Sequence, residues 1–278
     1  MRVLVTRVQP QAQQWCEQLR AAGLDAVALP LIDIAPPHDV DAVRTAWRHL
    51  SDCAWLIFVS PSAIQGFFAA RPPDGPPSQA WPAHTRVAVP GPGSEAALRR
   101  ALDEAALAGA AITRPADDAA QLDSEHLWRA LQEGVQGAAW SGQRVCIVGG
   151  ADGDDRFQGR AWLADRLLGA GAEVSHLVAY RRGLPALDAA GLQCIQDALR
   201  RPPAHLWLFS SSLAIDHLQQ LVAEQGWPAL GGDSLALATH PRIAQRARAA
   251  GFGRVAQCQP TLRAVTEKLL ELQSGSPT

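Results

Sequence analysis

The sequence predicts an α/β protein of two parallel-sheet domains, one inserted into the other, and three observations predict it. Short apolar runs alternate with helix-length periodic segments along the 278 residues, the pattern of helices layered on parallel sheets. A strand–serine–helix unit occurs twice, as Leu56-Ile57-Phe58-Val59-Ser60-Pro61-Ser62-Ala63-Ile64 and as Trp207-Leu208-Phe209-Ser210-Ser211-Ser212-Leu213-Ala214-Ile215. Landmarks of the two copies pair at a separation of roughly 150 residues but in permuted order: Phe58 with Phe209, Gly23 with Gly171, Pro92 near Pro241.

The elements follow in order. The periodicity predicts a strand at 3–5, a helix over 11–22 closed by Gly23, and a strand at 26–29 running on through 30–34 to Pro36-Pro37. After a helix at 40–50 come a strand at 55–59 and an exposed Pro-rich loop from Arg71 to Pro82. Strands at 87–89 and 111–113 precede a helix starting near Ser124, and strands at 145–148 and 174–178 flank a helix ending at Gly169 or Gly171. The remainder repeats the theme: helix 192–199, strand 206–209, helix 214–222, strand 235–238, helix 242–250, strand 254–257 and a final helix. Permutation of the copies gives a discontinuous domain, 1–34 with 183–278, and an inserted domain, 38–178. Extended crossings near 31–37 and 176–183 then form a two-stranded ribbon hinge. Each domain reads as flavodoxin-like.

Composition narrows the chemistry. Hydrophobic residues make up 47% and charged residues 19%, as in globular proteins. A formal net charge of −2 offers no field for nucleic acid, so an anionic ligand has to be recognised locally. Cys16, Cys53, Cys146, Cys194 and Cys258 form no CxxC and several sit in apolar runs, which points to buried reduced thiols and away from a disulfide or metal framework. The start, Met1-Arg2-Val3-Leu4-Val5-Thr6-Arg7, lacks the apolar length of a signal peptide, and no run reaches membrane-spanning length, so a cytoplasmic protein is expected. Lys268 is the one lysine and lies beside the apolar stripe of the last helix, which argues against Schiff-base chemistry.

Thr6-Arg7, the segment Phe58 to Ile64, Val87-Ala88-Val89-Pro90-Gly91-Pro92-Gly93-Ser94, Asp123-Ser124-Glu125 and Gly159-Arg160-Ala161-Trp162-Leu163 follow one another in a characteristic order. With 171–174, 178–182, Phe209-Ser210-Ser211-Ser212 and His240-Pro241-Arg242-Ile243-Ala244, the series resembles the uroporphyrinogen-III synthase family over nearly the whole chain. The resemblance implies a lyase of tetrapyrrole biosynthesis, without cofactor or metal, that converts linear hydroxymethylbilane to uroporphyrinogen III with loss of water and inversion of the last ring. It implies hydroxymethylbilane as the small-molecule partner, transient contact with the preceding pathway enzyme, and neither nucleic acid nor membrane as partner; the mixed surface suggests a monomer. The chain departs from the family at Val59-Ser60-Pro61-Ser62, where Thr-Ser-Ala-Asn is commoner, at Ser94, often Thr, and at Gly149-Gly150, often Arg-Gly.

A hydroxymethylpyrrole is electron-rich and expels its hydroxyl once protonated, so the harder task is to hold a flexible chain for attack in the inverted sense. Carboxylates fringing the bilane are expected at helix starts: Ser60, Pro61 and Ser62; Gly91, Gly93 and Ser94; Ser210, Ser211 and Ser212; His240 to Ile243. All four segments follow strand carboxyl ends. Arg7 is a candidate carboxylate clamp, Gly150 a further binding residue, and the active site is expected in the cleft between the domains. Tyr180 is the only tyrosine and by resemblance the candidate to donate a proton or hydrogen bond to the leaving hydroxyl.

Plainer readings compete. Ser60-Pro61 and Ser211-Ser212 are ordinary helix starts, with serine as cap; Arg7 suits a surface ion pair; a hinge tyrosine packs its ring and leaves its hydroxyl in water. His240 suits a turn before Pro241. Gly91-Pro92-Gly93-Ser94-Glu95-Ala96 matches GxGxxA, but Pro90 and Pro92 remove two N–H donors and Thr113-Arg114 stands where an acid is needed for a dinucleotide. Asp152-Gly153-Asp154-Asp155 lacks EF-hand spacing and reads as a solvated loop. Asp123-Ser124-Glu125-His126 reads as helix capping by Asp123 or Ser124, because consecutive residues do not converge on one atom. The main alternative is a non-enzymatic, two-lobed small-molecule-binding protein; a nucleotide-dependent oxidoreductase resting on 91–96 is the third.

Overall fold

The computed structural model describes residues 1–73, 80–116, 124–135, 140–153 and 157–274. In chain order the elements are β1 (Arg2–Val5), α1 (Gln11–Ala21), β2 (Ala26–Ala28), β3 (Asp33–Ala35), α2 (Val40–Arg48), β4 (Trp55–Phe58), α3 (Pro61–Ala69), β5 (Arg86–Ala88), α4 (Pro92–Glu104) and β6 (Ile112–Thr113). There follow α5 (Ser124–Val135), β7 (Arg144–Ala151), β8 (Phe157–Gln158), α6 (Ala161–Gly169), β9 (Glu173–Gly183), α7 (Ala189–Arg200), β10 (His205–Phe209), α8 (Ser212–Glu224), β11 (Leu235–Ala238), α9 (Pro241–Ala249), β12 (Arg254–Gln257) and α10 (Leu262–Ser274). The chain divides into two compact units, Met1–Asp33 with Gly183–Thr278, and Ile34–Arg182. Among the described residues no helix is long and apolar enough to cross a membrane.

The discontinuous unit carries a five-stranded sheet in the order β12-β11-β10-β1-β2, with every pairing parallel. Read from β2, this is the 2-1-3-4-5 order of a flavodoxin-like sheet, which reverses its winding between β1 and β10. Alternation along the strands sends Val3, Val5, Leu206, Leu208, Leu235 and Leu237 to one face, against Ala12, Cys16 and Leu19 of α1 and Val265 and Leu269 of α10. Those helix residues recur at three and four, one apolar stripe each. The intervening positions face the other way, where the Trp207 and Phe209 rings stack at 6.1 Å and Phe252 meets Phe209 edge-on at 5.4 Å.

The inserted unit carries a sheet in the order β3-β9-β7-β4-β5-β6, with β8 paired to the end of β7. The pairings from β9 to β6 are parallel and β8 is antiparallel. Counted from β7, the order is again 2-1-3-4-5, so this unit is a circular permutation of the other, with its switch between β7 and β4. One face packs Leu56, Phe58, Val87, Cys146 and Val148 under Val43, Trp47, Ile64, Phe67 and Leu98 from α2, α3 and α4. The opposite face packs Trp55, Ile57, Val145 and Ile147 under Leu127 and Leu131 of α5 and Leu163 and Leu167 of α6.

Four expectations change. The extended run 26–34 is two strands: β2 ends at Ala28, and β3 belongs to the other sheet. Pro30, which has no N–H to donate, lies between them. The strand expected at 174–178 runs from Glu173 to Gly183. The helix start expected at Gly91 to Ser94 opens α4, whose 13 residues have no counterpart in the element order read from periodicity. The loop 71–82 is anchored at both ends, with Pro72 buried and Trp81 buried with its Nε1–H donated to the Thr85 carbonyl at 2.7 Å; residues 74–79 lie outside the described residues.

Candidate functional site

Ligands of open α/β sheets bind outside the strand carboxyl ends where the winding reverses. In the inserted unit that point falls between β4 and β7. Ser60 follows β4 and caps α3: its Oγ accepts the Ala63 N–H at 3.2 Å, and Pro61 fills the first helical position, where no N–H is needed. The same Oγ lies 3.2 Å from the Tyr180 hydroxyl, and either group can be the donor. With Ser60 donating, the phenol keeps its own proton for a third group. Tyr180 is otherwise packed, 6% exposed, and its ring lies over Gly150 at the end of β7, where a Cβ would stand 2.4 Å from the ring Cζ. Ser62 is buried in the first turn of α3. A cavity of about 390 Å³ borders the tyrosine, lined among others by Pro36, Pro37, Gln65, Gly66 and Ala179. Beyond Tyr180, Arg181 donates its Nε–H to the Pro36 carbonyl at 3.1 Å and Arg182 pairs with Asp152 at 2.9 Å.

One strand further out, α4 begins at Gly91, extended at φ 170°, with Pro92 next. Ser94 is buried and Gly93 has open space around its Cα. Glu95 in this first turn is ion-paired with Arg99 at 2.6 Å and with Arg114. The Arg99 hydrogen bond, helped by Arg114, holds its carboxyl below the usual range against the opposing effect of burial.

In the discontinuous unit the reversal lies between β1 and β10. Thr6 clamps it, its buried hydroxyl donating to the Leu208 carbonyl at 2.8 Å. Arg7 follows: one Nη donates to Gln11 Oε1 at 3.1 Å, and the guanidinium lies over the Trp15 ring at 4.2 Å. Its Nε is buried without a hydrogen-bond partner. Burial lowers its pKa to about 10, which leaves it protonated at neutral pH. Ser210 and Ser211 follow β10, and Ser212 opens α8. Ser211 holds the cap position, but its hydroxyl makes no capping bond; the expectation that a serine caps each of the two repeated helix starts is therefore corrected at this one. The first amides of α8 lack the side-chain acceptor that α3 has. Next along the sheet, His240 is more than a turn residue: it caps α9 by accepting the Arg242 N–H on Nδ1 at 3.1 Å, while Ile243 is buried.

The structure thus brings Ser60, Gly150 and Tyr180 into contact, and sets Arg7 and Ser210 to Ser212 behind two adjacent strands. Gly91 to Ser94 and His240 to Ile243 sit behind the next strand of each sheet. Sequence reasoning missed Gly66, Gln11 and Trp15; the isolated glycine inside an apolar helical run was the one available signal for the first. Ser124 accepts from Arg160 Nη1 at 3.1 Å, while Asp123, Asp154 and Asp155 lie outside the described residues. Among the described residues no three His, Cys, Asp or Glu side chains gather where they could hold a metal ion.

Two doubly wound sheets, each with polar helix starts and a charged or phenolic side chain at its reversal, define a two-unit α/β protein. The model of the family described as uroporphyrinogen-III synthase HemD matches residues 13–267, and the chain belongs to that family. A uroporphyrinogen-III synthase of Synechococcus elongatus is 33% identical over 63 residues, a stretch that spans 23% of this chain and 24% of that relative. Among solved structures, uroporphyrinogen-III synthetase from Helicobacter pylori is 16% identical, with a TM-score of 0.55 and 98% of each chain covered. A mutant uroporphyrinogen III synthase from Thermus thermophilus is 16% identical, with a TM-score of 0.51 and 99% of this chain and 98% of that one covered. At such identity these structures speak to the fold alone.

Proposed function

We propose that the chain is a lyase that closes linear hydroxymethylbilane to uroporphyrinogen III, with loss of water and inversion of the last ring. Family membership supports the reaction, and it disfavours a purely ligand-binding role. The observation that carries the assignment of residues is the Tyr180 hydroxyl, 3.2 Å from Ser60 Oγ at the carboxyl end of a sheet. The pyrrole nitrogen pushes out the hydroxyl when an acid supplies a proton: the C–O bond breaks and water leaves. The last ring then attacks the exposed methylene through its substituted α-carbon, the bond from that carbon to its existing bridge breaks, and the bridge rebonds at the free α-carbon. That carbon returns one proton to the base, so the ring is inverted with only water lost. Tyr180 donates or orients that proton, and Ser60 fixes the phenol while capping α3. Substrate carboxylates are taken by the amides opening α3, α4, α8 and α9 and by the Arg7 guanidinium.

The bilane also closes unaided, which favours its direct transfer from the preceding enzyme to this protein. All five cysteines are free thiols, which supports a reducing, cytoplasmic setting. In a coupled assay that generates the bilane in place, Tyr180→Phe is expected to lower turnover at least about tenfold while the melting temperature barely moves. Unchanged product formation by the variant would refute the role given to Tyr180.

A further inference from the structure

We infer that Gly150 is a positioning residue for Tyr180: its missing side chain, with a one-residue bulge at Ala179, sets the phenol onto Ser60. The inference rests on the reading of Tyr180 above and adds the device that holds it. On β7, Cys146 and Val148 point into the core beneath α2, α3 and α4, whereas Val145 and Ile147 point into the core beneath α5 and α6. Alternation then assigns Gly150 to the first face and Gly149 to the second. The surroundings agree. A Cβ on Gly149 would meet the Phe157 ring at 2.7 Å and Val59 at 3.1 Å; one on Gly150 would meet three Tyr180 ring carbons at 2.4 to 2.8 Å.

On the neighbouring β9, Leu177 and Ala179 lie in the same core as Val148. Strict alternation would send Tyr180 to the opposite face, away from that core. The register prevents this: Gly149 lies opposite Val178, but Gly150 lies opposite Tyr180, so Ala179 is the extra residue of a bulge. Tyr180 consequently joins Ala179 and Leu177 on one face. The bulge has its own requirement, because α3 passes so close that a Cβ on Gly66 would stand 2.1 Å from the Ala179 carbonyl oxygen. Tyr180 and Ser60 are already 3.2 Å apart, just beyond the usual ~2.5–3.0 Å of an O–H···O bond. A methyl at Gly150 has to lift the ring and break that contact.

The single tyrosine makes the test selective, since protein labelled with 3-fluorotyrosine gives one fluorine resonance. Gly150→Ala is expected to move that resonance, as Ser60→Ala does, and to lower turnover about tenfold with KM changed by less than about twofold. A resonance that stays in place overturns the inference, whatever the turnover. A displaced resonance with full turnover upholds the seat and removes proton donation from Tyr180, so the two readings fail separately. Should Gly150→Ala fold poorly, urea midpoints of Tyr180→Ala and Tyr180→Ala/Gly150→Ala decide. Equal midpoints identify the ring as the reason for the glycine, whereas a further loss, or an insoluble double variant, overturns the inference.

Discussion

A tyrosine is ambiguous in sequence, because one residue type serves as a packed ring or as an acid. Tyr180 has its ring buried in the core of its unit while its hydroxyl reaches Ser60. Nothing local in Val178-Ala179-Tyr180 announces the bulge, which exists only in the register with β7. The cysteines were legible in part: Cys16 and Cys146 are buried, as their apolar surroundings suggest, whereas Cys53, Cys194 and Cys258 are only half-buried; the thiols carry a consequence for pH. Burial pushes the Cys146 thiol up to about 12 and the Cys16 and Cys258 thiols up to about 11, whereas unfolded thiols ionise near pH ~8.5. Between roughly pH 9 and 11 the unfolded chain sheds protons that the native state keeps, so stability present below this window is lost as pH rises through it. The urea midpoint is therefore expected to be lower at pH 10 than at pH 8, with a shallower fall in Cys146→Ala. A level or rising midpoint would contradict burial of these thiols.

At the level of elements, the two copies of the strand–serine–helix unit look interchangeable in sequence yet start their helices differently. Ser60 caps α3 and Ser211 leaves α8 without a side-chain cap. Ser60→Ala is thus expected to cost about 1 kcal/mol and Ser211→Ala less than about 0.5 kcal/mol in urea unfolding; equal losses would count against the distinction. The strands at 235–238 and 254–257 were readable to the residue, because each is a short run closed on both sides by turn-forming residues. β3 and β8 were not, being three and two residues long and dependent on distant partners for their pairing. The turn at His240 and the helix start after it were legible, but its capping bond was not, because histidine is not a usual cap residue; its Nδ1 accepts the Arg242 amide.

For the molecule as a whole, the permuted repeat was the feature that sequence carried best. Both sheets wind in the same order from different starting strands, so landmarks recur at a fixed separation while their order shifts. The site was legible only as segments: strand ends and helix starts could be assigned, but which side chains meet there depends on glycines whose value lies in what they leave empty. The chemistry claimed is correspondingly a matter of holding and protonating a substrate, with no strong nucleophile among the residues named. The most direct measurement is the isomer composition of the porphyrin recovered, after oxidation, from bilane closed in the presence of the purified protein. The account predicts the type III isomer in excess, in proportion to the protein added; type I alone, as from unassisted closure, would contradict it.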